Sequence, residues 1–507
     1  MAGSTHPLDY IFHPTSLAIV GASASGGMPG GFVQAIIDMG FKGPIYPVNP
    51  RYEEVAGLKC YPSLRDVPTD VDYVISSVPA PIVPQMVEDC AAKKVKTIHF
   101  FTAGFTETGD EERIELQQTV IERTKQLGIR AIGPNCMGLY VPEAGLAFGG
   151  GFPKEKGNVA LISQSGANAS EFVSMGAARG LRFSKVISYG NAADLCEADF
   201  FDYIADDSDS EIVASYMEGV RDGRRFVTAL KKAAARKPVV ILKGGRTVAG
   251  GRATQSHTAS LAGPITIFDA LCRQAGAIRV ESMDELVDMV IAFKTLKRLA
   301  GPNACLIVGG GGRSVLSADD VAAEGLDVPH LPPETQEKLR EFTPIAGTSI
   351  RNPIDSSMGF QGAGDDAAVK TLSLAAEAAN IDFVLYNTGM GGGMGRPGRG
   401  GPWGQQPPPA PQAGQSPQPA EPPQAMRSFD PEAMARRQID NITGVQEKVG
   451  KPIILVLGTP NNAAGFAGYQ TMLDMATEAG LAVFPTIRRA AIALSRLLRW
   501  QALREDL

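Results

Sequence analysis

The sequence has few of the residues that mark a metal, disulfide, nucleic-acid or membrane protein. Its six cysteines are scattered without a CxxC pair, which excludes a disulfide framework and a cysteine-based zinc site. It has only five histidines, and its formal net charge of -6 provides no basic surface for nucleic acid or an anionic membrane. No apolar run approaches the ~20 residues of a membrane span, and residues 1–14 lack the features of a signal peptide. We therefore expect a cytoplasmic protein without a metal site of its own.

Short apolar runs without polar alternation recur along the chain between helical patterns. Such runs are typical of parallel strands that are covered on both faces by helices. The pattern starts at residues 16–20, restarts at 158–163 and restarts again at 304–308. It predicts an α/β protein of three consecutive units, which we place at residues 1–148, 149–299 and 300–507.

One segment, residues 390–426, departs from this pattern. It consists largely of Gly, Pro and Gln, with nine prolines between Gly401 and Ala425. Such a composition cannot bury enough apolar surface to offset the entropy of ordering the chain. We expect a disordered insertion within the third unit; a polyproline-type site for a partner is the alternative.

A glycine-rich turn, Gly21–Gly31, follows the first predicted strand. Glycines there allow the backbone to approach a phosphate, and the next helix supplies unpaired N–H groups. A dinucleotide site would place an acid after the second strand, but the sequence there reads Val48-Asn49-Pro50-Arg51. Arg51 suits an additional ribose phosphate, as in NADP or coenzyme A. A tight turn without a ligand is the alternative.

Two further strand ends offer apolar and small groups at the same edge of the predicted sheet. Val78-Pro79-Ala80-Pro81 predicts an extended apolar ledge that suits a long uncharged chain such as pantetheine. Pro134, Asn135 and Cys136 leave another strand. Because no histidine follows Cys136 in its unit, we interpret this cysteine as a pocket wall rather than a nucleophile.

Two strand-to-helix turns could each direct a helix N-terminus at an anion. One contains Gln164, Ser165 and Gly166, and the other contains the run Gly310–Gly312. Two such helix ends around one phosphorylated histidine would hold a doubly charged group without a metal. Ordinary glycine turns are the alternative for each.

His257 lies alone in a segment of Gly, Ser, Thr and Ala, residues 244–263, which predicts a mobile loop that presents one imidazole to solvent. An imidazole presented in this way can act as a nucleophile. Glu218 ends a strand of the same unit, and its carboxylate could accept from one ring nitrogen and leave the other nucleophilic. A histidine without a role and a solvent-facing acid are the alternatives.

Several motifs occur in a recognisable order along nearly the whole chain outside the insertion. They are Ile19–Ser23, Tyr46–Pro50, Gly133–Gly138, Ile162–Ala167, Tyr216–Gly219, Ser256–Gly263 and Asn352–Asp355. In this order they resemble the alpha subunit of ADP-forming (NDP-forming) acyl-CoA synthetases, relatives of succinyl-CoA synthetase. The resemblance implies a Rossmann-like CoA-binding domain followed by two flavodoxin-like domains.

The resemblance also implies roles for individual residues. His257 would carry a phosphoryl group, Glu218 would support it, and the two helix ends would bind the phosphate. Coenzyme A would be a substrate held by the first domain, through Gly21, Ala22, Ser23, Gly26, Asn49, Arg51, Val78, Pro79, Ala80, Pro134, Asn135 and Cys136. The family's third-unit turn usually reads Thr-Asn-x-Gly-Gly-x-Gly, whereas this chain has a run from Val308 to Arg313 with different side chains and an added charge.

The family requires an ATP-grasp unit, which nothing after Phe484 resembles. The resemblance therefore implies an ATP-grasp beta subunit as partner, with ATP or ADP and Mg²⁺ bound there, and a carboxylic acid as the other substrate. Two other functions stay open: a non-catalytic protein that binds CoA or acyl-CoA, and an NADP-dependent oxidoreductase that uses the first unit.

Overall fold

The computed structural model describes residues 6–24, 28–258, 263–343, 348–355, 364–388, 430–460 and 463–505. The chain divides into two compact units, Met1–Lys297 together with Arg496–Leu507, and Arg298–Ser495. Gly26 and all of the predicted insertion at 390–426 lie outside the described residues. Among those that are described, no helix is both long and apolar enough to cross a membrane.

The first unit begins with a parallel sheet whose strand order is β2-β1-β5-β6-β7. Most Val, Ile and Ala side chains on these strands are buried because helices cover both faces of the sheet. The elements are α1 Asp9–Phe12, β1 Leu17–Val20, α2 Met28–Met39, β2 Ile45–Val48, β3 Glu54–Val55, β4 Leu58–Lys59, β5 Tyr73–Ser76, α3 Val83–Ala92, β6 Thr97–Phe100, α4 Glu111–Gln126 and β7 Arg130–Ile132.

A second sheet in the same unit has the order β13-β12-β11-β9-β10-β8. Its strands are parallel except β8, which pairs antiparallel with β10. The elements are β8 Gly138–Tyr140, β9 Lys156–Ser163, α5 Gly166–Ala177, β10 Phe183–Ser188, α6 Glu197–Asp206, β11 Ile212–Met217, α7 Gly223–Arg236, β12 Val239–Lys243, α8 Val248–Thr258, α9 Ile265–Ala275, β13 Ile278–Val280 and α10 Met283–Thr295. β8 lies before residue 148, so the chain enters the second sheet ahead of the boundary that we predicted. The boundary itself stays a prediction.

The prediction of a loop around His257 is wrong for residues 248–258, which form helix α8. Thr247 begins this helix: its Oγ1 accepts from the backbone N–H of Gly250 at 3.0 Å. A side-chain acceptor at this position satisfies one of the unpaired N–H groups at a helix start. The two glycines at 250 and 251 led the sequence reading away from a helix, and the cap at Thr247 was missed.

The second unit contains a parallel sheet of order β15-β14-β16-β17-β18. Its core lies between the sheet and helices that contribute Leu, Ile and Ala. The elements are β14 Ala304–Val308, α11 Gly311–Ala323, α12 Pro333–Arg340, β15 Ile354–Asp355, α13 Gly364–Glu377, β16 Phe383–Asn387, α14 Pro431–Val449, β17 Ile453–Val456, α15 Ala463–Glu478 and β18 Val483–Phe484. The last helix, α16 Ile487–Glu505, begins in this unit, and its residues from Arg496 onward belong to the first unit. The predicted α/β class with parallel sheets is confirmed.

Asn352 fixes the edge of this sheet. Its buried side chain accepts from the N–H of Leu306 at 2.9 Å and donates to the carbonyls of Ala304 and Pro329 at 2.9 and 2.8 Å. These bonds join β14 to the segment that leads into β15. The Asn-Pro-Ile-Asp motif therefore places Asp355 at the carboxyl end of β15, beside the end of β14.

Candidate active site

The turn after β1 passes so close to the end of β5 that only glycine fits. Gly21 has φ +94°, and a Cβ built on it would lie 2.9 Å from the carbonyl carbon and oxygen of Ser77 and 3.1 Å from Val78. A side chain there would clash and would also strain the backbone. The close approach brings the predicted residues Gly21 and Val78 together at one sheet edge.

Asn49 ties the turn after β2 to this edge. Its Nδ2 donates to the carbonyl of Ala22 at 2.7 Å, and its Oδ1 accepts from the backbone N–H of Arg51 at 3.0 Å. Ala22 is buried, Ser23 is half-buried, and Arg51 is exposed. The guanidinium of Arg51 is therefore carried on a fixed backbone at the carboxyl edge while its side chain reaches solvent.

The predicted extended ledge ends at Pro79. Pro79 has extended backbone, but Ala80–Ile82 forms a 3₁₀ helix that leads into α3. Pro81 lies in the first turn of that helix, where its fixed φ suits a helical start and its missing N–H costs nothing. Ile82 is 52% exposed, so an apolar surface does exist here, on a turn rather than an extended strand.

The strand end at residues 133–136 joins the same edge through backbone bonds. Thr102 donates from Oγ1 to the carbonyl of Val78 at 2.8 Å, and its own carbonyl accepts from the N–H of Asn135 at 3.0 Å. Pro134 and Cys136 are buried. Burial raises the pKa of the Cys136 thiol well above its usual range, which disfavours the reactive thiolate. The structure therefore gives no support to Cys136 as a nucleophile.

Gln164 joins the ends of β9 and β11. Its side chain is buried, and Oε1 accepts from the backbone N–H groups of Glu218 at 2.8 Å and Gly219 at 3.1 Å. Ser165 caps α5 by accepting from the N–H of Asn168 at 3.3 Å. Gly166 has no room for a side chain, because a Cβ would lie 2.3 Å from Met137. The side-chain oxygen of Gln164 thus accepts from two backbone N–H groups of the protein itself. Helix α5 begins two residues later, at Gly166.

Glu218 is 5% exposed, so it is not the solvent-facing acid of the alternative reading. Its Oε1 accepts from the hydroxyl of Tyr216 at 3.1 Å. The ammonium of Lys243, which is 2% exposed, donates to the backbone carbonyls of Glu218, at 2.6 Å, and of Gly244. Sequence reasoning named Tyr216 only as part of a motif, without a role, and it missed Lys243. A charged residue that closes the apolar run Val239–Leu242 was the available signal for the lysine.

His257 is carried by α8 across this sheet edge. The helix follows β12 and contacts the 3₁₀ helix Thr106–Thr108. Glu107 of that 3₁₀ helix accepts from the side-chain amide of Asn191 at 2.6 Å, and Asn191 follows β10. Between β12 and β10 lie β11 and β9, so α8 passes the ends that bear Glu218 and Gln164. The side chain of His257 lies outside the described residues, and its pairing with Glu218 stays a prediction.

The glycine turn of the second unit has a carboxylate at its helix start. Gly310, with φ +104°, donates its N–H to Oδ1 of the buried Asp355 at 2.8 Å. Side-chain space at Gly310 and Gly312 is open, and the Cβ of Gly311 would lie 3.6 Å from Asp355. One N–H group at the positive end of α11 is therefore already engaged by an acid. How this helix end pairs with that of α5 stays a prediction, because the two belong to different units.

Comparison with known proteins gives two family models. One, described as a CoA binding domain, matches residues 15–142, and one described as a succinyl-CoA ligase like flavodoxin domain matches residues 156–293. A solved chain described as dinucleotide forming acetyl-coenzyme A synthetase 1 of Ca. Korarchaeum cryptofilum superposes with a TM-score of 0.75, at 29% identity, over 98% of this chain and 97% of that one. These matches confirm the predicted succession of a CoA-binding and a flavodoxin-like domain.

Two curated relatives differ in length. The alpha subunit of acetate–CoA ligase [ADP-forming] I from Pyrococcus furiosus is 31% identical over 502 residues, which cover 97% of each chain. The acetate–CoA ligase [ADP-forming] of Methanocaldococcus jannaschii is 40% identical over 357 residues, 70% of this chain. The match spans only 50% of that longer relative.

Removing the Gln164 side chain should loosen the end of β11. In Gln164→Ala the N–H groups of Glu218 and Gly219 lose a buried acceptor, at a cost of about 2 kcal/mol. Amide hydrogen exchange of the peptide that covers β11 and Glu218 should therefore quicken at pH 7. Gln85→Ala is the control, because Gln85 donates to Asp89 on the exposed face of α3. Equal exchange in the wild type and Gln164→Ala would show that this bond does not fix Glu218.

Proposed function

The chain belongs to the family of ADP-forming acyl-CoA synthetase alpha subunits, and from that premise we propose that it carries the phosphohistidine step of this reaction. The observation that supports the proposal most is the buried carboxylate of Glu218 at the edge that α8 crosses with His257. A buried acid below a histidine-bearing helix suits a site that handles protons better than one that only binds a ligand.

In the proposed reaction, inorganic phosphate attacks the carbonyl carbon of the acyl-CoA thioester, and CoA leaves as the thiol. The acyl phosphate then transfers its phosphoryl group to a ring nitrogen of His257 and leaves as the carboxylate. Phosphohistidine finally passes the group to ADP, which forms ATP. Dividing the phosphoryl transfer into two steps replaces one difficult step with two easier ones, and it keeps the acyl phosphate away from water.

Each polar group at this edge has a stated part in the proposal. Glu218 accepts from one ring nitrogen of His257, so that the other nitrogen is unprotonated and nucleophilic. Lys243 and Gln164 hold the backbone of Glu218 in place through its carbonyl and its N–H. The N–H groups at the start of α5, capped by Ser165, face the phosphoryl group. Those of Gly311 and Gly312 form a second clamp, next to Gly310, whose own N–H is held by Asp355.

Coenzyme A is proposed to bind the first sheet at its carboxyl edge. Glycine at position 21 leaves room for the pyrophosphate near Ala22 and Ser23, and Arg51 meets the ribose phosphate. The apolar turn at Val78, Pro79 and Ala80 contacts the pantetheine arm, with the segment 134–136 as the wall behind it. The close contacts of Gly21, Asn49 and Ser77 support this placement.

The nucleotide and its Mg²⁺ are assigned to an ATP-grasp beta subunit. The relative from P. furiosus is named a subunit alpha, which supports a separate partner. The carboxylic acid substrate is left open by the residues of the site, and we propose a cytoplasmic location. A CoA-binding protein without catalysis would not require the buried carboxylate of Glu218.

Arg51→Ala tests the proposed CoA site. If the guanidinium meets the ribose phosphate, the variant should bind CoA about 10-fold more weakly and dephospho-CoA almost unchanged, as one charge-assisted contact is worth about 1.5 kcal/mol. Calorimetry on the isolated chain measures both affinities. Arg113→Ala, a charge removal on α4 in the same domain, serves as the control. Equal losses for the two ligands would remove this role from Arg51.

The phosphohistidine step is tested by labelling. Incubation with acyl-CoA and radiolabelled phosphate should give a label on the chain that is labile in acid and stable in base. His257→Ala should abolish both the label and turnover with the partner subunit. Glu218→Gln should retain CoA binding but slow labelling by about 10²–10⁴-fold, the usual loss when a positioned proton-handling group is removed. Acid-stable labelling, or labelling that persists in His257→Ala, would contradict the mechanism.

A further inference from the structure

An open cleft of about 1040 Å³ lies in the first unit, between the starts of α7 and α9 and beside the end of β12. Its floor contains Phe226 and Phe268, whose rings stack with centroids 6.4 Å apart and planes inclined by 15°. Ile267 stands on its wall and is 65% exposed. Lys243 is the one residue of this cleft with a part in the reaction proposed above, and an apolar side chain this exposed at its mouth has no covering group among the described residues.

One of the residues that line this cleft is a buried cation, Lys243. Lys243 is 2% exposed and lines the cleft, and its ammonium lies 5.8 Å from the centroid of the Phe268 ring. An ammonium has three donors, of which two are used by the carbonyls of Glu218 and Gly244. Burial lowers the pKa of Lys243 to about 8, partly offset by Glu218, so the group is still mostly charged at pH 7. Among the described residues the third N–H has no acceptor, which leaves it available to a ligand.

Two exposed arginines add positive charge to the same cleft. Arg221 donates from Nε to the carbonyl of Ala192 at 3.1 Å, which anchors its guanidinium, and Arg224 stands on the first turn of α7. Among the described residues, no carboxylate forms an ion pair within 4 Å with either guanidinium or with the ammonium of Lys243. The backbone N–H of Arg221 does donate to Oε1 of Glu197 at 2.7 Å. Asp222 is the acid that lines the cleft, and its Oδ1 accepts from the backbone N–H groups at the start of α7. The charged side chains that line the cleft therefore favour the binding of an anion.

The remaining lining is hydrocarbon. Val220, Val227, Ile267 and Leu271 contribute aliphatic groups beside the two phenylalanines. Thr228 supplies the neutral hydroxyl, and it already donates to the carbonyl of Arg224 at 3.1 Å. A sugar or a nucleobase would find almost nothing to read its polar edges, whereas a hydrocarbon body would be well accommodated.

We propose that this cleft binds an organic monocarboxylate with an apolar body, its carboxylate at Lys243 and the two arginines and its hydrocarbon part against Phe226, Phe268 and Ile267. Burial of the hydrocarbon supplies affinity, and the cations select the charged acid over neutral molecules of the same shape. The inference does not depend on the proposed function, because binding is tested on the isolated chain without turnover. The carboxylate could be the acyl substrate or an effector, and both share this chemistry.

Titration calorimetry at pH 7 with phenylacetate and 2-phenylethanol tests the site. Phenylacetate should bind saturably, and the alcohol at least about 10-fold more weakly, the equivalent of one charge-assisted contact of about 1.4 kcal/mol. Ile267→Glu places a second carboxylate in the mouth and should weaken phenylacetate by more than about 10-fold. Ile267→Gln, of similar shape without charge, should change the affinity by less than about 3-fold.

A charge-removal pair gives an independent check. Arg224→Gln should weaken phenylacetate by about 3- to 10-fold, whereas Lys231→Gln, an exposed position on α7 outside the cleft, should leave it unchanged. Equal binding of the acid and the alcohol would overturn the proposal, as would unchanged binding in Ile267→Glu. If Ile267→Glu instead weakened association with the ATP-grasp partner alone, the cleft would be a docking surface and the proposal would be wrong.

Turnover with the partner subunit separates the two sources of the carboxylate. For a substrate, Ile267→Glu raises the KM for the carboxylic acid and leaves the KM for CoA unchanged. For an effector, both KM values stay unchanged, and phenylacetate alters the rate of the wild type but not of Ile267→Glu. Either result supports a carboxylate site in the cleft and assigns its role.

Discussion

The candidate site depends on one buried hydrogen-bond acceptor, the side-chain oxygen of Gln164, which receives the N–H groups of both Glu218 and Gly219. The sheet order explains why this contact is decisive. From β9 the chain continues to β10 on one side, and from β11 it continues to β12 on the other. The crevice between β9 and β11 is therefore a switch point, where open α/β sheets bind their ligands. At that crevice, Gln164 satisfies the backbone N–H groups of Glu218 and Gly219 and thereby fixes the position of Glu218.

A second layer of buried polar groups supports this arrangement. The ammonium of Lys243, at the end of β12, donates to the backbone carbonyl of Glu218, whereas Gln164 accepts from the backbone N–H of the same residue. The peptide groups on both sides of Glu218 are therefore fixed. Burying an ammonium is costly unless its donors are paired. Two carbonyls and a nearby aromatic ring provide that pairing here. The backbone that carries the Glu218 carboxylate is therefore fixed, and Oε1 accepts from Tyr216, which suits a group that must meet an imidazole in one orientation.

Much of the fold could be predicted from the sequence because parallel strands leave an unmistakable apolar signature. The runs at residues 16–20, 158–163 and 304–308 all became strands. The strand-end motifs identified Gln164 and Glu218 as candidate site residues. They did not predict the hydrogen bond between the two, because that contact joins residues 54 positions apart. Local chemistry was misread twice. The cap at Thr247 outweighed two glycines and produced α8, and Pro81 turned an expected ledge into a 3₁₀ helix. Lys243 was missed because a lysine that ends a strand is usually solvated, and only the packing of Phe268 and the strand ends shows its burial.

The central claim is that the phosphoryl group travels on His257 and on no other side chain. Peptide mass mapping tests it directly. The chain is incubated with ATP, Mg²⁺ and an ATP-grasp partner, quenched in base to preserve a phosphoramidate, and digested at alkaline pH. The account predicts one phosphorylated peptide, with fragment ions that place the phosphate on His257 and a loss of the modification after brief acid treatment. A phosphate on a serine or threonine of residues 254–260, or on another histidine, would contradict it.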